Sequence, residues 1–174
     1  MKGFTLVELL VVIAIIGVLA AVVVLVINPL ELLRRSRDST RLKDLDNLQQ
    51  AINVTLQEAG MSSGSIVSTL CKESGSYPCN GSSNTGNRLT NGTGWIKADL
   101  ASNNEVFFPT LPIDPVNDNE YHYTYCADED KWEINASLES DNFRGKMAQD
   151  GGNAFDQYEV GTSYLLIPSA NCEY

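Results

Sequence analysis

The chain has 174 residues and a formal net charge of -10, with 43% hydrophobic and only 8% aromatic residues. At roughly 100–200 residues per domain this is one modest domain with at most an appendage, which excludes a large multidomain enzyme. The charge is unevenly placed: residues 1–59 carry 6 basic and 6 acidic side chains, whereas residues 60–174 carry 6 against 16. Two bodies suited to different solvents are expected, an apolar N-terminal one and an acidic C-terminal one.

Residues 9–27 are 19 consecutive apolar or glycine positions. As a helix rising about 1.5 Å per residue they span about 28 Å, enough to cross a hydrocarbon core once. Their Val and Ile content would suit a strand in water, but lipid demands that backbone bonds close within the segment, so a helix is expected. The run ends in Ile27-Asn28-Pro29 rather than in a small-x-small site, which separates it from an ordinary cleaved secretory signal. Two features are odd for a plain anchor. Glu8 sits at the edge of the apolar run, where a carboxylate needs a partner, and only Met1, Lys2 and Gly3 form the basic leader ahead of Phe4.

The string Lys2-Gly3-Phe4-Thr5-Leu6-Val7-Glu8-Leu9-Leu10 resembles the class III signal of type IV prepilins and of the related pseudopilins. The resemblance implies cleavage after Gly3 by a prepilin peptidase on the cytoplasmic side and N-methylation of the new first residue, Phe4. It implies a single-pass protein of the cytoplasmic membrane with its head outside. An ATPase-driven pilus assembly platform would then polymerise it with copies of itself into an extracellular filament. Glu8 would neutralise the free amine of Phe4 on a neighbouring subunit, pairing two charges that neither membrane nor filament core hosts alone. A carboxylate snorkelling at the membrane edge is the plainer reading.

Helical periodicity continues past the apolar run. Leu42, Leu45, Leu48, Ile52 and Leu56 form one stripe while polar residues fill the other face. A rod from near Phe4 to about Glu58, stopped by Gly60, is expected, amphipathic from residue 29 to 59. Pro29 removes a backbone donor and predicts a kink or melted turn, at a place where similar pilins carry a helix-breaking proline. Gly17 is a second weak point, and the stretch from Gly17 to Pro29 is the one expected to extend on assembly. Arg34, Arg35, Arg37, Arg41 and Lys43 follow, which the positive-inside rule taken alone would place in the cytoplasm. The interspersed Glu31, Asp38, Asp44 and Asp46 read instead as a charge-paired helix surface.

Residues 61–94 are rich in Ser, Gly, Asn and Thr and read as a surface connection. The four cysteines include no C-x-x-C, which favours disulfides over zinc. Of three possible pairings the expected one joins Cys71 to Cys79, a short local loop, and Cys126 to Cys172, tying the C-terminal tail to a strand. The second pair is similar to the disulfide-bounded C-terminal region of many type IV pilins. Leu111-Pro112-Ile113-Asp114-Pro115 predicts a rigid turn and Tyr121-His122-Tyr123-Thr124-Tyr125-Cys126 a strand. Together they resemble the Leu-Pro-x-Asp-Pro, then Tyr-x-Tyr segment of pseudopilins and of many Gram-positive and candidate-phylum pilins. Where a tryptophan-glycine turn commonly follows, this chain has Val116-Asn117-Asp118. Residues 127–130 read as an acidic turn, residues 132–138 as a return strand, and residues 157–160 and 163–167 as further strands.

The fold class expected is therefore α+β: a long N-terminal helix, half membrane-spanning and half amphipathic, packed on a small antiparallel sheet in a pilin-like lollipop. Its parts are a leader at residues 1–3, a transmembrane and assembly helix at 4–28, the amphipathic half at 29–59 and an acidic head at 60–174. His122 has no Ser or Cys arranged as a nucleophile elbow, and no phosphate-binding Gly loop appears, so no enzyme is expected. Asp114, Asp118, Asp128, Asp130, Asp141 and Asp150 are candidate calcium ligands, though none matches the D-x-[DN]-x-[DN]-G loop, and solvated acidic turns explain them as well. An acidic head repels phosphate, so nucleic-acid binding by the head is not expected. The function expected is that of a structural filament subunit. A pseudopilin of a type II secretion or competence system, and a monomeric signal-anchored ligand-binding protein, are the alternatives.

Overall fold

The computed structural model describes residues 3–60, 68–73, 77–101, 109–169 and 172. Met1 and Lys2 of the leader, and residues 61–67 and 74–76 of the Ser/Gly-rich connection, lie outside the described residues.

The N-terminal rod is two helices, α1 (Leu6–Ile27) and α2 (Pro29–Ala59), separated by the single residue Asn28. Proline at the first position of a helix loses nothing, because that N–H has no intrahelical acceptor. The residue before a proline is pushed out of the α region. Asn28 meets both demands by taking a left-handed backbone, φ 43° and ψ 81°, which asparagine tolerates better than most residues. Its carbonyl accepts from the N–H groups of Glu31 and Leu32 at 3.1 and 3.3 Å. The kink expected at Pro29 is thus a break one residue earlier. At the far end Gly60, with φ 82°, closes α2.

The head is a four-stranded antiparallel sheet in the order β1 (Cys79–Ser82), β2 (Tyr123–Asp128), β3 (Lys131–Ala136), β4 (Tyr158–Gly161), with a short helix α3 (Arg144–Met147) before β4. The β2–β3 hairpin lies where the alternation placed it. Pairing runs on to Asp128 and Lys131, so the acidic turn shrinks to Glu129-Asp130, with Glu129 left-handed at φ 54°. Residues 163–167 do not form the expected strand. Leu166 and Ile167 instead give their N–H groups to the carboxylate of Glu133, which leaves nothing for a ladder. One edge strand, β1, comes from within the segment read as a surface connection, and the other is β4.

Cross-strand register sets the two faces of the sheet. Tyr123 and Ala136, Tyr125 with Ile134 and Val160, and Ala127 and Trp132 are opposed and form the core with Leu45, Leu48, Ala51 and Ile52 of α2. Leu42 and Leu56, at the ends of the stripe, are only partly buried. Trp95 is fully buried in the same core, its ring 5.9 Å from that of Tyr123 and its Nε1 donating to the Pro112 carbonyl at 2.9 Å. Gly81 of β1 is required by this approach, since a Cβ there would lie 2.2 Å from the Trp95 carbonyl oxygen.

Candidate functional site

Among the described residues, those singled out in sequence gather mainly in two regions: the start of α1, and the junction of α2 with the head.

At the first, Gly3 and Phe4 precede the helix and are exposed, Phe4 at 79%. Thr5 caps the helix, its hydroxyl oxygen accepting from the Glu8 N–H at 3.3 Å. The Glu8 Oε2 accepts in return from the Thr5 N–H at 2.9 Å and the Thr5 hydroxyl at 2.8 Å. This is a capping box. It supplies Glu8 with a partner inside its own chain, which the sequence reading did not assign. The signal was present as Thr5-x-x-Glu8 directly ahead of an apolar run. Beyond it, Leu6–Val24 is long and apolar enough to cross a membrane, and none of it is buried against the rest of the chain. Gly17 lies in the unbroken part of α1, and, the helix's own backbone apart, no described residue comes within 4 Å of where its Cβ would be.

The second region corrects the reading of the arginine-rich stretch. Arg35 and Glu31 do form a surface pair at 3.1 Å, but Arg41 and Asp38 are fully buried. Arg41 holds Asp114 in a two-pronged contact, Nε to Oδ2 at 2.6 Å and Nη2 to Oδ1 at 2.9 Å. Its Nη1 meets Asp38 at 2.8 Å and Glu139 at 2.6 Å, and its guanidinium lies 5.1 Å from the centre of the Tyr121 ring. Arg37 closes the cluster through its own two-pronged contact with Glu139. Asp38 also accepts from the backbone N–H groups of Glu139 and Ser140 at 3.0 and 2.7 Å. One guanidinium thus ties α2 to the loop before β2 and to the loop after β3. Burial opposes the charge on Arg41, but Asp114, Glu139 and Asp38 outweigh it and its pKa is raised.

Asp114, taken from sequence as a calcium candidate, is therefore committed to Arg41, and it also caps its own turn by accepting from Val116 and Asn117 N–H groups at 2.8 and 3.3 Å. Asn117 takes a left-handed backbone, φ 54°, so the departure from the tryptophan-glycine turn keeps a residue that tolerates this conformation. The other five aspartates are not gathered with it. Asp118 accepts from Glu120 and Tyr121 N–H groups, Asp150 accepts from Gly152 and Glu159 N–H groups, Asp128 ends β2, Asp130 lies in the hairpin turn and Asp141 precedes α3. Among the described residues no three His, Cys, Asp or Glu side chains converge to hold a metal ion. His122 is buried, and that burial lowers its pKa against the pull of Asp118 and Asp114. Cys71 is bonded to Cys79, fastening β1, and Cys126 to Cys172, fastening the C-terminal segment to β2.

The pH response of the junction follows from Glu139. Its hydrogen bond to Arg37, and then those to Arg41, hold its pKa below the ordinary carboxylate value against the effect of burial. A lowered folded pKa means stability that is present above the unfolded value and lost as pH falls through the folded one. Wild type should therefore lose more melting temperature between about pH 5 and about pH 3 than Glu139→Gln, which has no proton to gain there. Parallel melting curves would contradict this.

Residues 1–24 match the family described as the prokaryotic N-terminal methylation motif. No curated protein and no solved structure matches the chain. That motif is the class III signal, which implies processing by a prepilin peptidase and, in general terms, filament assembly. It falls on the apolar helix that suits a membrane-anchored precursor. The chain thus joins a class III methylation signal to an α+β architecture of the type IV pilin kind, and is similar to the precursors of pilins and pseudopilins.

Proposed function

We propose that the chain is the precursor of a structural subunit of a type IV pilus-like filament. The observation that carries this is an apolar helix of membrane-spanning length with no residue buried in its own chain, joined to the signal at residues 1–24. A helix apolar all round must be covered by lipid or by other helices, and a subunit that passes from membrane to filament core needs both in turn. Prepilin peptidase would hydrolyse the Gly3–Phe4 bond, which lies ahead of the capped helix in exposed backbone. The freed amine of Phe4 would be methylated and would face Glu8 of a neighbouring copy. The head, stapled by two disulfides, belongs on the oxidising side of the membrane. There it would form the coat of the filament.

Mass spectrometry of the N-terminus of the protein from its own cells tests the reading most directly. A chain beginning at methylated Phe4, found in surface filaments by electron microscopy, is the expected result. An intact Met1 would overturn it in favour of a signal-anchored monomer. Processed subunits without surface filaments, together with a secretion or transformation defect on deletion, would move the chain to the pseudopilins.

A further inference from the structure

On the face of the sheet turned away from α2, Thr124, Glu133, Asn135 and Glu159 are polar yet buried. Register aligns Ser82, Thr124, Asn135 and Glu159 in one cross-strand row, and Asn80, Cys126, Glu133 and Gly161 in the next. Two stretches of chain cover these rows. Cys172, Ile167 and Leu166 pack on Cys126, and the loop between α3 and β4 lies over Glu159. A Cβ on Gly152 of that loop would fall 1.5 Å from the Glu159 Oε2. Glu133 is 0% and Glu159 2% exposed.

Each carboxyl uses one oxygen to hold a cover. Glu133 Oε2 accepts from Leu166 and Ile167 N–H groups at 2.8 and 3.2 Å. Glu159 Oε2 accepts from the Ala154 N–H at 3.2 Å. The second oxygen of each, Oε1, is buried without a hydrogen-bond partner, as are Thr124 Oγ1 and both polar atoms of the Asn135 side chain. The two carboxyls stand diagonally across adjacent strands, within hydrogen-bonding reach of each other. Ionised carboxylates only accept. Two facing carboxylates, both buried and both negative, with the Asn135 amide beside Glu133 as their one side-chain donor, are a costly arrangement. One proton removes the conflict, since it turns one carboxyl into a donor to the other and leaves a single negative charge.

We propose that Glu133 and Glu159 share one proton, and that this proton clamps the loop around Ala154 and the segment around Leu166 and Ile167 onto the sheet, releasing them as pH rises. Among the described residues, no cation faces the pair to take the proton's place. Glu133 and Asn135 face Glu159 from β3, and Asp150 faces it from the covering loop, adding negative charge. Lys146 of α3 and Tyr164 line the open cleft beside Glu159, and among the described residues no ion pair joins Lys146 to either glutamate.

Burial pushes both carboxyls up; on Glu159 the Ala154 N–H pulls back while Glu133 and Asp150 push further, to about 7. A raised folded pKa means stability that is present below the ordinary carboxylate value and lost as pH rises through about 7. The sign is opposite to that of Glu139, so the two carboxyls bound a window of greatest stability from either side.

The test is melting of the full chain in detergent, in EDTA, from about pH 5.5 to about pH 8.5. Wild type should lose roughly 5 °C across this window. Glu159→Gln, whose amide donates permanently, should flatten the curve. A wild-type curve that is flat or rising, or a fall that persists in Glu159→Gln, overturns the proposal. Two readouts need no variant. The Glu159 side-chain carboxyl carbon should titrate near neutrality, and hydrogen-exchange protection of Ala154, Leu166 and Ile167 should fall as it does. An ordinary carboxylate midpoint overturns the shared proton. So does a calcium-dependent rise in melting temperature at high pH that Glu159→Gln lacks, because a divalent cation would then hold those oxygens.

Discussion

Replacing Arg41 with methionine is expected to destabilise the head by about 3–5 kcal/mol, the cost of breaking a buried ion pair from one side. Methionine keeps an unbranched stem and good helix propensity, so the loss isolates the guanidinium. Without it Asp38 and Asp114 stay buried with no compensating cation, and Glu139 keeps only Arg37. The loop holding Asp114 would also come away from α2, taking with it the Pro112 carbonyl that receives the Trp95 Nε1. Equilibrium denaturation of the full chain in detergent reads the effect. Arg34→Met, on an exposed position of the same helix, should stay within about 0.5 kcal/mol. Arg41→Met combined with Asp114→Ala should cost less than the sum of the two, because the second change removes a charge the first has stranded. A loss below about 1 kcal/mol for Arg41→Met would show the cluster to be hydrated and weak.

The second large effect concerns assembly. Glu8→Val should leave a processed, membrane-inserted subunit while surface filaments fall to background by electron microscopy. Valine removes two things at once, the charge and the capping box with Thr5. Losing a cap costs about 1 kcal/mol, too little to stop a helix this apolar from forming in lipid. Glu8→Gln separates the two, since glutamine serves in a capping box as glutamate does but cannot neutralise an amine. Glutamine should therefore fail as valine does. Normal filaments from Glu8→Gln, with failure in Glu8→Val, would assign Glu8 to the helix cap and remove it from charge pairing.

Periodicity read well wherever one physical demand set the pattern. The all-apolar run, the Leu45–Leu48–Ile52 stripe and the β2–β3 alternation each answer to a single face or solvent, and each lies where expected. What stayed hidden depended on partners distant in sequence. Nothing in Cys79-Asn80-Gly81-Ser82 favours a strand, and β1 exists because Cys71 fastens it and β2 pairs with it. Arg41 looks like its neighbours Arg34 and Arg37, and partners as distant in sequence as Asp114, 73 residues on, and Glu139 make it a core residue. Asp114, open in sequence to calcium or to a solvated turn, is for the same reason seen as half of a pair only in the fold. Trp95, Ile96, Ala98 and Leu100 are all buried although no named strand runs through them, so no strand period marks them in sequence. Glu133 and Glu159 fall at polar positions of alternating strands, and only the covering loops, which have no periodicity, bury them.

Asn28 ends one helix and begins the next, so the hydrogen-bonded ladder of α2 starts from its carbonyl and owes nothing to α1. A pull along α1 consequently reaches the head through the two backbone torsions of one residue. Turning those torsions re-aims the head without bending either helix or breaking a ladder bond. The chain is built less like a rigid peg than like a peg with a wrist, its angle set by one residue while both sides of the joint keep their shape.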